Sequence, residues 1–224
     1  MAIGATRSLP SRIDLSYWLR DITAALATAL AYFFCALIGL FFVFGHEGIA
    51  ALWPASGVFC AAIVINRGRR LWLIVLFTAL ADFAAAYWIN RTPFVFSLCF
   101  MATIASESAL AAWVLVRLRG RTLGFGKVPD VLALTLGASS APAVGGFIAA
   151  AVVHTMSGEP LWENWHVWWL ADSVGILAVV PVILAWRAQG WGALRVSDRG
   201  RALEIVVFFG VLVGALCLVF GAGD

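Results

Sequence analysis

Three carboxylic acids, Asp82, Glu107 and Asp172, lie within long apolar runs of a 224-residue sequence. An ionised side chain costs at least about 2.5 kcal/mol at the centre of a bilayer, so such acids are expected to face a bundle interior. There they bind a ligand, carry a proton or accept hydrogen bonds. No basic residue lies deep in these runs, so the partners must be neutral protein groups, water or a ligand. The candidate protein partners are Ser56, Tyr87, Asn90, Thr103, Ser106, Ser108 and the tryptophans.

One of these acids belongs to an aromatic face in the segment WHVWWLADSVGILAVVPVILAW. A spacing of i, i+3, i+4, i+7 and i+10 places five of its residues on one side of a helix. These residues are Trp165, Trp168, Trp169, Asp172 and Gly175. One interpretation of the face is the lining of a cavity that leads from the membrane surface to Asp172. The other is a belt of interfacial residues, which is favoured for the tryptophans, with Asp172 accepting a hydrogen bond between helices; for Asp172 both interpretations stay open.

Two other segments combine proline, glycine and small residues. In WPASGV, Pro54 removes a backbone donor and Gly57 allows close approach of another helix. Simple helix packing is the favoured interpretation of this segment. The alternative is a helix that is kinked or begins late, which puts Trp53 and Ser56 at a depth similar to that of Asp172. The later segment GASSAPAVGG is typical either of a broken helix at a transport site or of close helix packing. Close packing is the favoured interpretation.

An intramembrane serine hydrolase is the third chemistry to consider. Ser139 and Ser140 share a predicted helix with His154, and that separation along a helix amounts to roughly 21 Å. A nucleophile and its base must meet within about 3 Å. The sequence also has no Gly-rich phosphate loop, metal-ligand triad or nucleic-acid-binding surface. We therefore expect no catalytic site in this chain, no cofactor, no metal and no nucleic-acid partner.

The composition places these residues in an all-α, polytopic integral membrane protein. The chain is 63% hydrophobic and 12% charged, whereas soluble domains average about 25% charged residues. Seven apolar runs are predicted as transmembrane helices of roughly 20 residues. The runs are 22–44, 49–66, 71–90, 93–116, 130–153, 165–186 and 204–221. They define an N-terminal arm, 1–21, and a transmembrane domain, 22–221.

The basic residues predict the orientation of these spans. Every Arg and Lys except Arg91 falls in the N-terminal arm or in the second, fourth or sixth connection. The positive-inside rule then makes the N-terminus cytoplasmic and puts Asp224 outside. A cytoplasmic domain after Asp224 requires an eighth span. We expect that span, and an output domain, in the sequence that follows.

The motifs WPASG at 53–57 and WWLADSVGILAVVPVILAW at 168–186 resemble those of the first bacterial membrane-associated sensor (MASE-type) domain family. The second motif comprises Ala171, Asp172, Gly175, Leu177, Pro181, Leu184 and Trp186. The basic loop NRGRRLW, followed by a span that contains Asp82, is also similar. The resemblance covers nearly the whole chain. It implies an eight-span input module joined to a histidine kinase, diguanylate cyclase or phosphodiesterase.

The resulting functional prediction is a sensory domain in the bacterial inner membrane, which acts in two-component or cyclic di-GMP signalling. It would detect a small ligand, a membrane state or a partner membrane protein, and would dimerise through its output domain. The alternative is a small proton-coupled transporter, which predicts an internal repeat that we do not find. The candidate ligand-binding or signalling residues are Trp53, Ser56, Asp82, Glu107, Trp165, Trp169 and Asp172. The candidate structural residues are Pro54, Gly57, Gly175 and Pro181.

Overall fold

A computed structural model describes residues 15–41, 52–121, 123, 125 and 127–189. The chain divides into two compact units, Met1–Leu184 and Ala185–Asp224. The described part of the second unit is the end of the last helix, and all contacts discussed below lie in the first. The helices are α1 (Leu15–Phe41), α2 (Pro54–Ile65), α3 (Gly68–Ala84), α4 (Phe94–Arg119), α5 (Val128–Ser157) and α6 (Leu161–Gln189).

Among the described helices, five are long and apolar enough to cross a membrane: α1, α3 with its continuation to Ile89, α4, α5 and α6. The predicted span over 49–66 is wrong in length. The helix there, α2, has 12 residues, so it is about 18 Å long, against roughly 30 Å of hydrocarbon. It begins late, at Pro54, whose missing N–H is no loss in a first helical turn. The predicted span over 204–221 lies outside the described residues.

The short helix α2 lies at the centre of the bundle. Every residue from Ala55 to Val64 is buried, as expected for a helix that is apolar on all sides. It packs against α1, α3 and α4. The backbone N–H of Trp53, just before the helix, also donates a hydrogen bond to the Ala171 carbonyl oxygen of α6 at 3.2 Å.

The GASSAPAVGG segment is continuous helix, because α5 runs unbroken through Pro142. Its small residues allow close packing against α4. A Cβ atom on Gly137 would lie 3.1 Å from the Ala111 carbonyl oxygen, and one on Gly145 would overlap the Glu107 side chain. This agrees with the favoured interpretation of the segment. It also removes the broken-helix argument for a transporter.

Ion pairs join the helices at the end of the bundle where α3 begins and α4 ends, which we call the Arg-rich end. Asp21 of α1 accepts hydrogen bonds from Arg69 at 2.6 Å and from Arg70 at 2.8 Å. Arg119 at the end of α4 donates to Asp130 in the first turn of α5, also at 2.6 Å. These partly buried pairs hold α1 to α3 and α4 to α5. The opposite end, where α3 gives way to α4 and α5 to α6, is the Arg-poor end.

Candidate functional site

A cavity of about 450 Å³ reaches the Arg-poor end of the bundle. This volume falls within the usual range of small-molecule sites, about 300–1,000 Å³. Its inner wall contains two acids, Asp82 and Asp172, beside mostly apolar side chains. The apolar part of the wall includes Trp53, Phe96, Phe100, Ile104 and Trp168, and the rim includes Asn90, Arg91, Thr92, Ser157 and Glu159.

A π-helical turn follows Asp82 and shapes one side of the cavity. It spans Ala85–Ile89 at the end of α3, and its wide spacing is seen in the 2.9 Å hydrogen bond from the Asn90 N–H to the Ala85 carbonyl. Ala85 and Ala86 line the cavity, so small side chains widen it next to the acid. Such turns occur frequently at functional sites.

Asp172 lies at the junction of α2 and α6. It is 2% exposed, and its Oδ1 accepts a hydrogen bond from the Ser56 hydroxyl. Because α2 begins at Pro54, Ser56 falls in its first turn and lies beside the middle of α6. The predicted common depth of Trp53, Ser56 and Asp172 is confirmed.

Asp82 belongs to a second set of hydrogen-bonded, buried polar side chains, next to the Ser56–Asp172 pair. The Tyr32 hydroxyl of α1 donates to Asp82 Oδ1 at 2.6 Å, and the Trp53 indole N–H donates to the Tyr32 oxygen at 3.5 Å. Asp82 is 4% exposed, and its Oδ2 has no hydrogen-bond partner within the described part of the chain. Tyr32 is absent from the sequence-based candidates. The sequence feature that could have identified Tyr32 is its polar hydroxyl group in the middle of the first apolar run.

Backbone contact between α2 and α6 depends on two glycines. A Cβ atom on Gly57 would overlap the Gly175 carbonyl oxygen, and one on Gly175 would overlap the Trp53 carbonyl oxygen. The close approach predicted from the Pro54–Gly57 motif is therefore present. Pro181, the last residue of the predicted structural set, lies within α6 and is half-buried.

Glu107 is buried near the cavity but is not part of its lining. It is 1% exposed and packs over Gly145 of α5. Across the described ranges, neither of its carboxyl oxygens makes a hydrogen bond of regular geometry, although the Trp168 indole N–H, which also lacks one, lies close to this carboxyl. Trp168 packs over Gly146, the residue after Gly145. The structure therefore assigns Glu107 to the α4–α5 interface behind the cavity.

The proposed lining role of Trp165 and Trp169 requires correction. Their indole N–H groups donate to the Ala143 and Ser139 carbonyl oxygens of α5, each at 2.8 Å. Their rings stack with centroids 5.5 Å apart, and neither ring lines the cavity. Trp168 is the tryptophan of this segment that does. Helical spacing groups these residues on one broad face, but it does not show which part of that face meets a neighbouring helix.

Trp169→Phe is expected to lower the thermal stability of the protein without changing the affinity of the cavity for a small molecule. The substitution removes the hydrogen bond to Ser139, and a bond of this kind contributes about 0.5–1.5 kcal/mol. Thermal unfolding of the protein in lipid nanodiscs measures the loss. Trp168→Phe is the matched comparison, because it changes the cavity wall instead. A larger effect of Trp169→Phe than of Trp168→Phe on binding would contradict this division of roles.

Arg121 is a further residue that sequence reasoning missed. Its Nη1 donates to the carbonyl oxygens of Ile63, Val64 and Asn66, at 2.9, 2.7 and 2.7 Å. These carbonyls lie at the C-terminal end of α2, where helical acceptors have no partners of their own. Burial, followed by the charge of Arg67, lowers the pKa of Arg121 from its usual range. The residue thus fastens α2 at the Arg-rich end. The sequence alone did not identify Arg121, because basic side chains are common in short loops that follow a transmembrane helix.

Comparison with known proteins confirms the resemblance found in the sequence. No curated protein and no solved structure matches the chain. A family model described as MASE1 matches residues 18–223, which is nearly the whole sequence. MASE1 is a family of membrane sensory input domains, and the described helices contain no catalytic fold. The chain therefore belongs to the MASE1 family of membrane-associated sensor domains.

Proposed function

We propose that the chain binds a small ligand in the cavity and passes a change in helix packing to a cytoplasmic signalling enzyme, a histidine kinase or diguanylate cyclase. The observation that carries this proposal is the position of α2. Trp53, just before this buried helix, lines the cavity, Ser56 in its first turn bonds to the lining residue Asp172, and Arg121 holds its other end at the Arg-rich end.

The charge distribution supports a direction for the signal. The positive-inside rule makes the Arg-rich end cytoplasmic. The cavity then opens to the outer side of a bacterial inner membrane, while the fastened end of α2 faces the cytoplasm. A ligand that enters from outside reaches Trp53 and Asp172, and the response emerges on the side where an output enzyme would be attached.

The contacts around α2 support two alternative packings as the mechanism. A ligand in the cavity meets Trp53 and Asp172, the groups that connect α2 to α6 through the Ala171 and Ser56 hydrogen bonds. A ligand changes an equilibrium only through its different affinity for the two states. Ligand binding at this junction favours the packing in which the acid and the indole face the ligand, and α2 moves relative to α6.

Arg121→Gln tests whether α2 transmits the signal. The substitution replaces a guanidinium that binds three carbonyls, and hydrogen bonds to charged groups contribute about 1.5–3 kcal/mol. We expect the basal output of the full-length protein to change by about tenfold or more. The measurement is the product of the output enzyme per amount of membrane-inserted protein.

The matched control is Arg117→Gln, which removes an exposed charge in the last turn of α4, just before the same loop, without touching the α2 carbonyls. Its output should stay close to that of the unchanged protein. If both variants give the same output, or if Arg121→Gln signals normally, α2 is not the transmitting element and the proposal fails.

A further inference from the structure

We propose that the ligand of the cavity is a small organic cation with a primary ammonium group, held between Asp82 and Asp172. The inference rests on the proposed sensory function, because it names the chemical class that the same cavity would detect. It is carried by the two acidic side chains of the cavity wall, by a carboxyl oxygen of Asp82 that has no partner among the described residues, and by the aromatic side chains beside the acids.

The charges on the cavity wall favour a cation. Asp82 and Asp172 lie on the inner wall, where both side chains are more than nine-tenths buried. The basic lining residue, Arg91, is exposed at the rim, and the acidic Glu159 is exposed there too. A cation beside these acids stabilises their ionised form, because opposite charges attract more strongly away from bulk water. The inner part of the cavity therefore favours a positive group over a neutral or negative one.

The hydrogen-bonding pattern favours a group that carries N–H donors. Tyr32 occupies Oδ1 of Asp82, while Oδ2 of the same carboxyl has no partner in the ranges that the structure describes. Asp172 accepts a hydrogen bond at Oδ1 from the Ser56 hydroxyl. A buried acceptor without a donor is costly, and a primary ammonium offers three donors and no acceptor. Such a group would donate a hydrogen bond to Asp82 Oδ2 while it remains close to Asp172.

The remaining wall fits the carbon part of such a ligand. Phe100 and Trp168 lie edge to face with ring centroids 4.9 Å apart, and both line the cavity with Trp53 and Phe96. Aromatic faces attract cations and cover the apolar groups attached to them. A metal ion fits less well, because hard cations such as Ca²⁺ take six or more oxygen ligands. The described residues contain no cluster of three or more metal-binding side chains.

The test compares four probes on the purified chain in lipid nanodiscs, with thermal unfolding as the readout, because a ligand that binds the folded state stabilises it. The probes are butylammonium, its neutral counterpart 1-butanol, the anion butyrate and tetramethylammonium, which has the charge but no N–H. We expect butylammonium to stabilise the protein at a concentration at least about tenfold lower than any other probe. Asp82→Asn and Asp172→Asn should each raise that concentration by about tenfold or more.

Glu163→Gln is the matched control, since Glu163 is an exposed acid in the first turn of α6 that does not line the cavity. It should leave butylammonium binding within about twofold, as expected for a solvent-screened charge. Equal loss in this variant means that a general surface charge attracts the probe, and it overturns the inference.

The inference is also overturned if 1-butanol or tetramethylammonium binds as tightly as butylammonium, or if butylammonium does not stabilise the protein. Should Asp82→Asn fail to accumulate, Asp172→Asn and the four probes on the unchanged chain still decide the question. These outcomes are separate from those for Arg121→Gln, which measure output rather than binding. Failure of the cation inference therefore leaves the sensory proposal standing.

Discussion

Asp172→Asn is expected to abolish most of the stimulus-dependent output of the full-length protein while leaving membrane insertion intact. Asparagine is nearly the same size and still offers an oxygen to Ser56, so the α2–α6 contact can persist. The substitution removes the ionisable group of Asp172, which lines the cavity where α2 and α6 meet. A charge-assisted hydrogen bond contributes about 1.5–3 kcal/mol, so the ratio between the highest and lowest output should fall by about tenfold or more.

The measurement is output per inserted protein across a panel of growth conditions and added solutes. Ser173→Ala is the matched control, because the neighbouring hydroxyl is buried and has no described partner, so its removal should change little. A normal output range in Asp172→Asn means that this acid is structural. Failure of the variant to accumulate makes it a packing element, and the cavity then loses its best-supported signalling residue.

Gly175→Ala is expected to separate α2 from α6 and to fix the output in one state. The added Cβ would overlap the Trp53 carbonyl oxygen and would lie 3.3 Å from the Pro54 nitrogen. Because both neighbours are backbone atoms, the helices must move apart, which weakens the Ser56–Asp172 hydrogen bond. Overpacking of this kind costs about 1–3 kcal/mol, and occasionally more. Thermal unfolding in nanodiscs measures the loss of stability, and output per inserted protein measures the change in signalling.

Gly137→Ala provides the comparison for this prediction. Its Cβ would lie 3.1 Å from the Ala111 carbonyl oxygen, in the α4–α5 interface and away from the α2–α6 contact. We expect a smaller loss of stability and an output that still responds to stimulus. If Gly137→Ala silences the response as strongly as Gly175→Ala, the effect reflects general destabilisation rather than the position of α2.

Several parts of the site follow from the sequence. Pro54 fixes where α2 can begin, and this places Ser56 beside Asp172, as predicted. An acid in an apolar run is expected to face the bundle interior, and this holds for Asp82, Glu107 and Asp172. Local rules suffice here because each one concerns a single helix and the cost of an uncompensated polar group.

Other parts required the packing of distant segments. Trp165, Trp168 and Trp169 share one helical face, but only the position of α5 decides that two of them bond to its backbone while Trp168 lines the cavity. The length of α2 also cannot be predicted from the length of the apolar run that contains it. A fully buried helix in the bundle centre is as hydrophobic as one that crosses the bilayer, although it needs fewer residues.

The amino-acid sequence by itself determined that this is a helical membrane protein of the MASE1 family with acids in its interior, because composition and short motifs act within single segments. The tertiary structure decided which groups meet. It brought Tyr32 to Asp82 and Arg121 to the end of α2, and among the described residues it gave Asp82 Oδ2 no donor beside a cavity. The physical reason is that hydrogen bonds between distant segments depend on how the helices pack, and helix packing is a property of the whole bundle.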